Sequence, residues 1–114
     1  MSDILNRMRA AREKWVPDSG EIAYLLRRPT RFQIIAWRGE GKDGGEILRR
    51  SLVNWRGVRE QDLVTSGSDK PVPFDLDVAM EYLGDRMESM TRLMEALKAM
   101  IESASRAQED AEKN

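Results

Sequence analysis

The sequence predicts an α+β fold: an N-terminal β-hairpin packed with short helices, followed by a long amphipathic C-terminal helix that Gly84 could break. Three observations point there. A Pro17-Asp18-Ser19-Gly20 turn signal sits between two apolar runs. Apolar residues then recur at helical spacing over Ile47–Trp55. Finally, Leu76, Met80, Leu83, Met87, Met90, Met94, Leu97, Ile101 and Ala104 step alternately by four and three, the period of a helix with one apolar seam.

Taken in order, residues 2–12 open as a short helix capped by Ser2, with Ile4, Leu5 and Met8 on one face. Strands follow near 12–16 and 21–28. Proline at 17 fixes φ, aspartate bonds locally and Gly20 accepts a positive φ, so the four residues turn the chain. Ile22, Tyr24 and Leu26 alternate onto one face of the second strand. Pro29 ends it, and Thr30 can cap a helix over 31–38. Periodicity there is ambiguous. Phe32, Ile34 and Ala36 alternate as in a strand, whereas Phe32, Ile35 and Ala36 share a helical face. The Pro-Thr start favours the helix.

Residues 39–45 read as a flexible glycine-rich loop, and 46–56 as a helix with Ile47, Leu48, Ser51, Leu52 and Trp55 on its buried stripe and Gly57 as its stop. Residues 58–73 hold two prolines and Ser66-Gly67-Ser68-Asp69, which predict an irregular connection. Asp75 caps the C-terminal helical region, which either runs on with Gly84 inside it at a cost of about 1 kcal/mol or divides there into about 75–83 and 85–105, with a frayed polar tail over 106–114. The chain thus reads as a hairpin-plus-helix part, 1–74, and a helical part, 75–114, within one structural domain.

The 114 residues contain neither cysteine nor histidine. Disulfides, thiolate chemistry and the Ser-His-Asp and Cys-His nucleophile arrangements are therefore excluded, and the commonest neutral-pH base and metal ligand are missing. The composition argues against an enzyme. No catalytic residue, cofactor or metal site is assigned. The net charge of −1 conceals an asymmetry: residues 1–60 carry +5 and residues 61–114 carry −6. A basic half and an acidic half suit a partner or self-association, or simply attract one another in the fold. No stretch approaches the ~20 apolar residues that span a membrane, and the opening residues lack a secretory apolar region. The reading is a soluble cytoplasmic protein without a membrane partner.

Several strings imitate functional motifs. Gly39-Glu40-Gly41-Lys42-Asp43-Gly44 matches G-x-G-x-x-G, but dinucleotide binding needs a preceding strand and a second strand after the helix. Lys42 is not followed by Ser or Thr, which excludes a P-loop. The acids Asp75, Asp77, Glu81, Asp85 and Glu88 lie off the apolar seam and read as a solvated face, Asp75 and Asp77 also favouring a helix start. Trp15, Trp37 and Trp55 alternate with seven arginines, a pattern that can stack on single-stranded nucleic acid. Without a basic cluster, core packing is the stronger reading and nucleic acid the weaker one. The methionine-rich seam suits an adaptable surface. Leu83, Met87, Met90, Met94, Leu97 and Ile101 are its candidate partner-binding residues, either for another protein or for homo-oligomerisation through the C-terminal helix.

A further signal lies in the order of short segments. Arg7-Met8-Arg9-Ala10-Ala11-Arg12 precedes Leu26-Arg27-Arg28-Pro29-Thr30; then come Leu52-Val53-Asn54-Trp55-Arg56-Gly57-Val58, Asp62-Leu63, Gly67-Ser68-Asp69, Pro71-Val72-Pro73-Phe74-Asp75 and a closing Glu112-Lys113-Asn114. This order resembles small proteins of tailed phages and prophages of the tail assembly chaperone type, over most of residues 7–80. The methionine-rich stretch at 86–101 departs from that pattern. The resemblance implies non-covalent holding of the tape-measure protein or tail-tube subunits during virion assembly, with no cofactor. The alternatives are a structural virion or head–tail joining protein, and a small nucleic-acid-binding regulator.

Overall fold

A computed structural model describes residues 2–113. The chain runs through α1 (Ser2–Ala10), β1 (Glu13–Pro17), β2 (Ala23–Arg27), α2 (Arg31–Gly39), α3 (Gly44–Ser51), β3 (Leu52–Arg56), α4 (Glu60–Leu63), α5 (Leu76–Gly84) and α6 (Met87–Lys113). The strands form an antiparallel sheet in the order β1-β2-β3, so the fold is α+β with an N-terminal hairpin and a long C-terminal helix.

The hairpin forms where the turn chemistry placed it. Glu13 pairs with Arg27 and Pro17 with Ala23, and Gly20 takes φ +62° at the turn. Ile22, Tyr24 and Leu26 are all buried. They line the inner face with Val16 of β1 and Trp55 and Leu52 of β3. Trp15 stands on the other face, where the Arg56 guanidinium lies 4.5 Å from its ring centroid.

The ambiguous segment 31–38 is helical. Thr30 Oγ1 accepts from the Gln33 backbone N–H at 3.1 Å, and Gln33 Oε1 accepts from the Thr30 N–H at 2.9 Å. Each side chain thereby satisfies a backbone donor that a helix start leaves open. Burial falls on Ile34 and partly on Trp37, whereas Phe32 and Ile35 are 79% and 67% exposed.

The expected helix over 46–56 is corrected. Helix α3 stops at Ser51 and the chain continues as β3. Tyr24 pairs with Trp55 and Leu25 with Asn54, but Leu26 pairs with Leu52, so a β-bulge leaves Val53 as the extra residue. A bulge shifts side-chain alternation by one position. It therefore puts Leu52 and Trp55, three apart, on the same sheet face, and that spacing is indistinguishable from a helical one in the sequence. Gly57 is accordingly a strand end and not a helix stop. It has φ +76°, and a Cβ there would lie 2.1 Å from the Glu21 carbonyl oxygen.

The connection 58–73 is irregular apart from α4 and an Arg59–Pro71 bridge. Its end is pinned by Trp55, whose Nε1 donates to the Val72 carbonyl at 2.8 Å and whose ring meets Phe74 edge-on at 5.7 Å. Asp75 accepts from the Val78 N–H at 3.1 Å and starts α5.

Gly84 does divide the C-terminal region. The two-residue step at Asp85 and Arg86 resets the helical phase, so the seam is not continuous. On α5 the buried residues are Ala79 and Leu83; on α6 they are Leu93 and Leu97. Leu93, outside the expected seam, is 1% exposed, whereas Met87 within it is 66% exposed. Beyond residue 105 the expected frayed tail is helical to Lys113, with its described side chains exposed. The 27 residues of α6 make a rod of about 40 Å. The expected cap by Ser2 concerns a side chain outside the described residues.

Candidate functional site

Helices α3 and α6 pack side by side and leave an open groove of about 490 Å³ between them. Its floor is apolar: Gly44 and Ile47 from α3, and Met94, Leu97 and Ile101 from α6. Its rim is charged, with Arg38 at the end of α2 and Glu95, Lys98 and Glu102 along α6. Local chemistry sets each wall. The Asp43 side chain accepts from the Glu46 N–H at 3.0 Å and starts α3 where the turn ends. Gly44 then leaves room for the methionine: a Cβ at that position would lie 3.1 Å from Met94 Cε. A flexible thioether over a glycine makes an apolar wall that can change shape.

The six expected contact residues are not brought together. Met94, Leu97 and Ile101 line the groove. Leu83 is fully buried in the core, and Met90 packs against it partly buried. Met87 projects near the start of α6, beside Glu88 and Arg92. The phase reset at 85–86 sets Leu83 apart from the rest, and Met87 and Met90 precede the stretch of α6, Thr91 to Glu102, that borders the groove. The residues missed were Gly44 and Ile47. Ile47 was legible as apolar, but its role depends on α3 lying against α6, which no local pattern encodes.

The Gly-rich string has the wrong setting for a dinucleotide. It joins two helices, α2 and α3, and Gly41 at φ +79° makes the turn. The tryptophans are likewise occupied. Trp55 is core, and Trp37 lies under the Arg50 guanidinium at 5.2 Å, so Trp37 and Trp15 each carry one of the chain's own arginines over the ring.

A second hollow, of about 830 Å³, lies between α4 and α5 and is lined by Asp62, Asp77, Glu81, Tyr82, Asp85 and Arg86 among others. Asp77 is engaged by Arg49 at 2.8 Å, and Arg86 stacks on Tyr82 at 4.3 Å. Among the described residues, no three acids converge closely enough to hold a metal ion.

Asp18 is a structural polar centre that no sequence pattern announced. Its side chain is 7% exposed. It accepts from Ser89 Oγ at 2.8 Å and from Arg92, tying the hairpin turn to the first turn and a half of α6. The Tyr24 hydroxyl is buried nearby, close to the Asp18 carboxylate but outside ordinary hydrogen-bond geometry. Burial first, and the Asp18 carboxylate second, raise the Tyr24 pKa above its ordinary value.

Compared with known protein families, curated proteins and solved structures, the chain has no significant match in any of the three. No helix among the described residues is long and apolar enough to cross a membrane.

Proposed function

We propose that this chain is a tail-assembly-chaperone-like protein of a tailed phage or prophage. In this reading it works in the bacterial cytoplasm and holds an apolar helical segment of the tape-measure protein, or a tail-tube subunit, by non-covalent contact. The observation that carries the reading is the ordered series Arg28-Pro29-Thr30, Trp55-Arg56-Gly57-Val58 and Pro71-Val72-Pro73-Phe74-Asp75. These segments occupy the joints of the fold: a helix cap, a strand end and the approach to α5. They are scaffold, so a client would meet other residues.

The α3–α6 groove supplies those residues. An amphipathic helix recognised in a groove needs apolar anchor sites at helical spacing and a charged rim to set direction. Met94, Leu97 and Ile101 provide the spacing, and Arg38, Glu95, Lys98 and Glu102 provide the rim. Binding of this kind asks for neither nucleophile nor cofactor.

The test is co-expression with the tape-measure protein of the same gene neighbourhood. The expected result is a larger soluble fraction of that protein, with this chain missing from purified particles by mass spectrometry. No gain in solubility would overturn the reading. Stoichiometric recovery from particles would assign the chain to the virion instead.

A further inference from the structure

Helix α1 and the α3–α6 groove are two unpartnered features of one chain. Every described side chain from Asp3 to Ala10 is exposed, with Ile4, Leu5 and Met8 at 56%, 44% and 58%. A helix of nine residues whose described side chains are all exposed is marginal in water, because its nucleation cost is spread over few hydrogen bonds. Its apolar side chains therefore have a surface to gain.

The groove matches it in length. From Thr91 to Glu102 it follows α6 for about 16 Å, and nine helical residues span about 13 Å. It also matches in charge. Helix α1 carries Asp3 near its start and Arg7 and Arg9 near its end. Among the described residues, Arg38, Glu95 and Lys98 on the rim form no salt bridge, so the groove offers both signs to a helix that carries both. Arg12 lies just past the end of α1, where burial first and the like charges of Arg28, Arg27 and Arg9 second lower its pKa, and this cluster of arginines adds attraction toward the acidic C-terminal half of another copy.

We propose that α1 of a second copy of this chain docks in the α3–α6 groove, with Ile4, Leu5 and Met8 seated against Ile47, Met94 and Ile101. The contact is helix-in-groove, and it hides the surface a client would use. A client then displaces α1, and self-association and client binding exclude one another.

The test needs this chain alone, so its outcome is separate from that of the client reading. Sedimentation equilibrium is run on the wild type, on an α1 variant (Ile4→Asp with Met8→Asp) and on a groove variant (Met94→Asp). All these positions are exposed, and circular dichroism verifies the fold. The wild type is expected to gain mass above the 13.1 kDa of one chain as concentration rises to about 500 µM. Each variant is expected to self-associate at least about tenfold more weakly, a change of about 1.4 kcal/mol. Mixing the two variants is expected to restore a 1:1 complex, because one supplies an intact groove and the other an intact helix. A wild type that keeps the mass of one chain throughout overturns the proposal, including the case where α1 folds back onto its own groove. A mixture that stays at one-chain mass, or variants that associate like the wild type, overturns it equally.

Discussion

Replacing Gly57 with alanine should cost this protein a large part of its stability. Gly57 takes φ +76°, a left-handed conformation that costs a residue with a Cβ about 1–2 kcal/mol. Sterics add to that. The new Cβ would lie 2.1 Å from the Glu21 carbonyl oxygen, 2.6 Å from its carbon and 3.1 Å from the Ile22 nitrogen. All three are backbone atoms, so no side chain can swing aside. Relief requires a shift of about 1 Å in the strand-to-turn segment, which resembles overpacking a core and costs roughly 1–3 kcal/mol more. The segment has little slack, because Ile22 is buried and bonded at both ends: its carbonyl accepts from the Asp18 N–H at 2.8 Å, and its N–H donates to the Ser19 carbonyl at 3.2 Å. The total, about 2–5 kcal/mol, is a sizeable share of the 5–15 kcal/mol typical of a small domain. Gly20→Ala is the internal control. Gly20 has φ +62° but nothing within 4 Å of a Cβ, so it carries the backbone cost alone. Urea unfolding followed by circular dichroism gives both values. A Gly57→Ala loss no greater than the Gly20→Ala loss would refute the close approach of β3 to the hairpin turn.

Three further outcomes are expected. Tyr24→Phe removes a buried hydroxyl that makes no hydrogen bond of ordinary geometry and should raise stability by about 1 kcal/mol or less at neutral pH; a loss of stability would show that the hydroxyl is bonded to the neighbouring Asp18 carboxylate. Because the folded-state pKa of Tyr24 is raised, both states hold the proton below about pH 10. Above it only the unfolded chain releases the proton, so wild-type stability should fall by up to about 1.4 kcal/mol per pH unit, and less steeply in Tyr24→Phe. Asp18→Ala should cost about 1–2 kcal/mol by unfastening Ser89 and Arg92 from the turn, measured by thermal or urea unfolding, and a neutral result would remove that tie from the account. Leu93→Ala should cost about 2–4 kcal/mol and Met87→Ala within about 0.5 kcal/mol, since one is 1% and the other 66% exposed; similar values for the two would contradict this placement of the buried face of α6.

The hairpin, α2 and the start of α5 were legible because their information is local. Pro17 to Gly20, Thr30 with Gln33, and Asp75 each act on backbone groups within four residues. Strand β3 was not legible for a definite reason: the bulge at Val53 gives Leu52 and Trp55 a helical spacing, and only the pairing partner, β2, reveals it. The seam failed in a similar way. Alternating steps of four and three run through Gly84 without a gap in the sequence, yet Asp85 and Arg86 leave the helix and rotate everything after them. Three of the five residues of the groove floor were thus readable, Met94, Leu97 and Ile101. The other two, Gly44 and Ile47, arrive through tertiary packing, as does the tie of Asp18 to residues 71 and 74 positions away.

The proposed site for an apolar helical client is the α3–α6 groove. The most direct measurement is the soluble fraction of the tape-measure protein when it is co-expressed with wild-type chain or with the Met94→Asp variant, both at equal levels and both folded. The expected result is a soluble client with the wild type and a several-fold smaller soluble fraction with Met94→Asp, since a desolvated carboxylate in an apolar contact costs a few kcal/mol. Equal solubility with the two chains would contradict it.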